Sequence, residues 1–197
     1  MSSTSPKLEK TGSCNLIRLE SADGTNRLTR ECVRKLTQTA AELASAGQVR
    51  PLIITGNHRF FSAGADLREI AELTGPAALA FAREGQALME SIASFPAPTL
   101  AAISGYCMGG GLDLALACAR RVAAPNAIFG HRGAALGLMT GWGGTQRLPG
   151  LIGKGRALAM FVAAEKLHAA EALRIGLVDA LAEDPVALAL SAFRWVA

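Results

Sequence analysis

Residues 104–120 read SGYCMGGGLDLALACAR and follow the apolar run Thr99 to Ile103. Three consecutive glycines, Gly109 to Gly111, interrupt what otherwise reads as core, and Asp113 comes two residues later. Glycine fixed in a regular element costs roughly 0.5–1 kcal/mol relative to alanine. Three together mean that the backbone itself comes close to something. An earlier stretch has the same form. LIITGNHRFFSAGADL (52–67) and TLAAISGYCMGGGLDL (99–114) both read as strand, glycine-bearing loop, then Gly-x-Asp-Leu opening a helix.

The first N–H groups of a helix have no partner inside it, and the macrodipole adds partial positive charge there. A small-residue turn lets an oxygen approach those donors without meeting a Cβ. Two such loops facing each other would aim two backbone N–H groups at one oxygen, as in an oxyanion hole. The plainer alternative is close strand–helix packing, with Asp66 and Asp113 as first-turn acids complementing helix dipoles. Both readings stand on the residues alone. The triplet does not read G-x-G-x-x-G, and the chain has no G-x-S-x-G elbow.

Around these loops the chain alternates strand and helix, which predicts an α/β fold. CNLIRLE alternates as a strand, and Thr29 is the expected N-cap of a helix to about Ser45. Helices are expected over Asp66–Leu73 and Pro76–Ser94, with short strands at RVAAP and AIFGH. GLMTGWGGTQRLPG reads as a loop, followed by helices from Lys154 and Ala169, the strand LVDAL and a last helix. Residues 1–13 are expected to be a polar tail preceding one domain over 14–197.

The 197 residues are 50% hydrophobic and 18% charged, long enough for a substantial core and unlike a disordered chain. A net charge of +4, without a lysine–arginine block, argues against nucleic acid as partner. The four cysteines, Cys14, Cys32, Cys107 and Cys118, form no CxxC pair and read as reduced thiols. The polar start lacks a secretory h-region, and no apolar run reaches the ~18 residues of a membrane span. A cytoplasmic protein without a membrane partner is therefore expected. The three scattered histidines show no metal-ligand spacing, so no metal site is expected.

FFSAGADLREI, the long run APTLAAISGYCMGGGLDLALACARRVAAPNAIFGHRGAALGLMTGWGGTQRLPGLIG, and AAEALRIGLVDAL closely resemble the enoyl-CoA hydratase/isomerase (crotonase) superfamily, in order and across nearly all of 14–182. The resemblance implies repeated β-β-α units, a coenzyme A thioester as substrate with no separate cofactor, and a homotrimer or hexamer. It implies an oxyanion hole from the N–H groups of Ala65 and Gly110. Ala63, Asp66, Leu67, Tyr106, Gly109, Gly133 and Trp142 are the accompanying candidates for substrate binding. The implied activity is lyase chemistry of the hydratase type, in fatty-acid breakdown.

Two positions depart from the resemblance. Hydratases of the family carry two glutamates; here the first is matched by Asp113, shorter by a C–C bond or ~1.5 Å, and the second by Gly133. Weak hydration is the expectation, raised if both are restored as glutamate. His131 is a candidate acid, base or carboxylate binder, or else a histidine satisfied at a strand end. Cys107 is a candidate nucleophile or core packing, and Trp142 a pocket wall or core. Arg59 and Arg68 are candidates for the phosphates of coenzyme A, with a solvated face as the default for each. The resemblance also implies further C-terminal helices, so a shortened helical segment is expected after LVDAL. Decarboxylation of a malonyl-type thioester, to which GHR…GWGG is similar, and a non-catalytic acyl-CoA-binding paralogue are the alternatives.

Overall fold

The computed structural model describes residues 4–11 and 13–193. Twelve strands are described: β1 Ser5–Thr11, β2 Cys14–Glu20, β3 Arg27–Leu28, β4 Leu52–Thr55, β5 Phe60–Ser62, β6 Gly64–Ala65, β7 Thr99–Ile103, β8 Tyr106–Met108, β9 Arg120–Ala123, β10 Ile128–Gly130, β11 Leu167–His168 and β12 Ala180–Leu181. The helices are α1 Arg30–Ala44, α2 Leu67–Ala71, α3 Gly75–Ala93, α4 Gly110–Ala117, α5 Gly144–Ile152, α6 Lys154–Ala163, α7 Ala169–Arg174 and α8 Pro185–Ala192.

Two sheets explain the internal echo. The larger runs β1-β2-β4-β7-β9-β12 and the smaller β11-β10-β8-β5. Each repeat gives its first strand to the larger sheet and its second to the smaller, so β4, β7 and β9 lie parallel in one while β5, β8 and β10 lie parallel in the other. These are the expected β-β-α units.

The runs LIIT and TLAAI are wholly buried because both faces of their sheet are covered. Ile54, Ala101 and Ile103 face the main core with α1, α3 and α4, while Ile53, Leu100 and Ala102 face Ala189 and Phe193 at the last helix. Thr29 caps α1 as expected, its side chain accepting from the Cys32 N–H at 3.2 Å.

Three local expectations need correction. Ser5–Thr11, expected as part of a tail, pairs antiparallel with β2 from Ser5↔Glu20 to Thr11↔Cys14. It is an edge strand, and its lysines and Pro6 suit that position while hiding it from a search for apolar alternation. The loops after β4 and β7 contain the short strands of the smaller sheet. The glycine-rich segment before Lys154 contains α5, with Pro149 inside it. Leu148 and Ile152 are buried from that helix, so packing overrides poor propensity.

The turn leading into the glycine triplet has no slack. Gly105 has φ +61°, and a Cβ there would lie 2.0 Å from the Arg59 carbonyl oxygen. Gly105→Ala is expected to destabilise the fold by about 3 kcal/mol, measured by urea denaturation.

Candidate active site

Two backbone segments meet at one cavity. Asp113 N–H bonds back to the Gly109 carbonyl at 3.0 Å, making Gly110 the first residue of α4 and leaving its N–H without an intrahelical acceptor. On the other segment the Asp66 N–H donates toward β3, to Leu28 O at 3.4 Å. Successive N–H groups of extended chain point to opposite sides, so that of Ala65 points away from β3. A Cβ built on Gly110 would lie 3.4 Å from Ala65 N, and one on Gly64 would lie 3.2 Å from Gly110 N. The two amides are neighbours because neither glycine carries a side chain.

The cavity they border has a volume of about 460 Å³. Ala63, Ala65, Leu67, Gly109, Gly110, Asp113, His131, Gly133 and Trp142 all reach its wall. The rest is mostly apolar, with Ile70, Phe81 and Met139 among it and the exposed Arg132 as its other charged group.

Tyr106 and Asp66, also expected at the binding site, lie outside the wall of this cavity. Tyr106 packs its ring on Phe60, 5.2 Å between centroids, beneath Lys166. Asp66 caps α2, accepting from Arg68 N–H at 2.9 Å, and pairs with Arg27 at 3.4 Å. The packing alternative therefore describes Asp66 but not Asp113. Arg59 and Arg68 are exposed outside the cavity wall. Cys107 is fully buried, and burial pushes its thiol well above the usual range, which suits packing.

Trp142 is both wall and core. It packs on Phe81 at 5.2 Å, and Cβ atoms on Gly85 and Gly110 would lie 2.1 and 2.5 Å from its ring. A helical glycine at 85 was the one signal of that wedge in the sequence. The same contact means that a side chain at Gly110 displaces the tryptophan as well as altering the amide.

Asp113 is 1% exposed and His131 4%. The Thr140 hydroxyl donates to Asp113 Oδ2, and the Gly144 N–H also favours the charged carboxyl. Burial outweighs both and raises the carboxyl to about 7. Burial likewise lowers His131 to about 4. Asp113 Oδ1 and His131 Nε2 lie 3.5 Å apart, each without a hydrogen-bond partner. Burial favours the neutral imidazole, so the contact is not an ordinary ion pair.

Gly133 reaches the cavity but has no room to vary. A Cβ there would lie 2.6 Å from Leu138 O, across the 3-10 turn Gly133–Leu136. A glutamate at this position therefore requires the turn to open first. Thr140, Gly144 and Phe161 escaped the sequence reading because only the fold brings their loop and helices to Asp113 and His131.

Paired β-β-α repeats with two adjacent amides over an apolar cavity define the crotonase class. The chain belongs to the enoyl-CoA hydratase/isomerase family, whose model matches residues 9–195. It is 42% identical over 160 residues to a Bacillus subtilis protein named "Probable enoyl-CoA hydratase", covering 81% of this chain and 62% of that relative. Pseudomonas aeruginosa DspI superposes with a TM-score of 0.89 at 38% identity, over 95% of this chain and 78% of that one. An enoyl-CoA hydratase from Thermoplasma volcanium superposes at 0.90 with 32% identity, over 96% and 76%.

Ionising Asp113 costs the folded state more than the unfolded one. Its raised value means that stability is lost as pH rises from about 4 to about 7 and stays lost above. Each pH unit across that interval is worth about 1.36 kcal/mol. Asp113→Asn is thus expected to stabilise the protein by on the order of 4 kcal/mol at pH 8 and little at pH 4. Paired denaturation curves at the two pH values check this.

Proposed function

We propose that this protein is an acyl-CoA enzyme that forms an enolate from a coenzyme A thioester. The observation that carries the reading is the adjacency of the Ala65 and Gly110 amides beside Asp113 in an apolar cavity. Charge developing on a thioester oxygen at those amides would meet two N–H donors, with α4's N-terminus behind one of them. Asp113, raised to about 7, is suited to exchange a proton near neutral pH. The apolar wall of Leu67, Ile70, Phe81 and Trp142 suits an acyl chain. Hydration of a short enoyl thioester is the family-typical reaction, weakened here by the single carboxyl.

Decarboxylation of a malonyl-type thioester is favoured over hydration by one feature, the closed position at Gly133. In that reaction the bond between C2 and its carboxylate breaks, carbon dioxide leaves, and its electron pair forms the same enolate. Asp113 then supplies a proton to C2, and no second acid is required.

The test follows the purified protein by mass with crotonyl-CoA, methylmalonyl-CoA, and butyryl-CoA in deuterium oxide. Gain of water, loss of carbon dioxide or deuterium at C2 is expected from at least one, falling about 10²-fold or more in Asp113→Asn. Binding without any mass change would overturn the catalytic reading in favour of a binding paralogue.

We also propose a homo-oligomer, a trimer or a pair of trimers. Leu158 and Val162, 63% and 66% exposed, stand one turn apart on α6, while Leu188 on α8 is only 36% exposed. That places the apolar surface nearer α6 than at the last strand and helix. Sedimentation is expected to show at least three chains; a monomer at high concentration overturns the proposal.

A further inference from the structure

Among the described residues, three buried side-chain polar atoms lack a partner: Thr4 Oγ1, Asp113 Oδ1 and His131 Nε2. The latter two face each other at 3.5 Å within the cavity wall. We propose that Thr140 and Gly144 are positioning residues that hold Asp113 against His131 as a pair sharing one proton, through which the cavity exchanges a proton with C2 of the bound thioester. The catalytic use of the pair rests on the acyl-CoA reading; the pairing itself does not.

The geometry supplies the reason. The Thr140 hydroxyl donates to Oδ2 and fixes the carboxyl plane, so Oδ1 is the oxygen left for His131. An ionised Oδ1 opposite an unprotonated Nε2 would set two lone pairs against each other. One proton between them, donated from Oδ1 to Nε2 or carried by the imidazole, satisfies both atoms.

Gly144 closes the arrangement. A Cβ there would lie 2.1 Å from Oδ1 and 3.0 Å from Nε2, so the pair meets only where α5 begins without a side chain. The other charged or titratable groups acting on Asp113 and its surroundings are few. Arg147 from α5 favours the ionised carboxyl, while Cys107 on β8 stays a neutral thiol. Phe161 from α6 packs on the imidazole at 5.1 Å and carries no charge. Arg132, next to His131, is exposed.

The exchange step starts from the pair that has lost its shared proton: the C2–H bond breaks and its proton passes to the Asp113 carboxylate, where it becomes the proton of the pair. The bond's electron pair moves onto the thioester oxygen, between the Ala65 and Gly110 N–H groups. Protonated Asp113 then donates to His131 Nε2 while its proton exchanges with solvent, and a solvent-derived proton or deuteron is returned to C2. Asp113 is the catalytic residue; His131 stores the hydrogen bond, and Thr140 and Gly144 set the distance.

The test pairs two readouts on the full chain. Carboxyl and imidazole NMR titrations of the ligand-free protein follow the pair, and deuterium uptake by butyryl-CoA from about pH 5 to 9 follows its use. Thr140→Val removes a bond that favours the ionised carboxyl, so the Asp113 midpoint and the exchange profile are both expected to move up by about one pH unit. Thr140→Ser is expected to restore them, which a purely structural role would not require. Gly144→Ala suits the start of a helix but parts the pair. The two titrations should then lose their common inflection, and exchange at neutral pH should fall about tenfold or more. An unmoved midpoint in Thr140→Val, or a common inflection surviving in folded Gly144→Ala, overturns the pairing. A shared titration with no exchange on butyryl-CoA overturns its catalytic use instead, and leaves hydration and decarboxylation to be judged by their own masses.

Discussion

The approach of two backbones, Gly64–Ala65 and Gly109–Gly111, is the constraint on which the rest of the structure depends. Each contact in it is set by a missing Cβ. On Gly64 it would meet Met108 O at 2.6 Å, on Gly110 the Trp142 ring at 2.5 Å, and on Gly111 Ser62 Cβ at 2.7 Å. The parallel strands of the smaller sheet bring the segments together, with Ser62 opposite Cys107. Asn26, buried and left-handed at φ +51°, secures the approach from the other side by donating to Phe60 O at 2.9 Å. The entropy spent on fixing those glycines is the condition for two amides to share one point in space.

That approach also determines where polarity can survive in the core. Asp113 is carried inward on the first turn of α4, into surroundings that oppose its charge. Thr140, Gly144 N–H and Arg147 return part of what burial removes, but the net direction remains upward. His131, at the end of β10 and against Phe161, is driven the opposite way by the same loss of water. An aspartate ordinarily loses its proton well before a histidine does, and here that order is reversed. Such displacement is typical of sites arranged for proton transfer, and it costs folding stability at neutral pH.

Much of this was legible from the chain. The two Gly-x-Asp-Leu echoes, the buried runs LIIT and TLAAI, and the Thr29 cap are local signals, and local chemistry decides them: unpaired helix amides, strand burial and an oxygen at an N-cap. The resemblance to the family rests on the same stretches. The nearness of the Ala65 and Gly110 amides was implied by that resemblance, and the meeting of β6 with α4 supplies its geometry. The tail expectation failed because an edge strand need not alternate in polarity when one side faces solvent. The loop expectation for 137–150 failed because glycine and proline speak only of propensity, while Leu148 and Ile152 are held by the core.

By itself, then, the sequence determined the class of fold, the repeat and the glycines that clear the two amides. Those are properties of residue type and spacing along one chain. Only the tertiary structure decided that Asp66 caps a helix while Asp113 enters a cavity, although both open a helix with the same four-residue pattern. It alone decided that Tyr106 packs on Phe60, that Gly133 has no room for a side chain, and that Thr140 and Gly144 meet Asp113 and His131. These depend on which side chains from distant segments share one dry volume, and water exclusion, unlike helix capping, is a property of the assembled core.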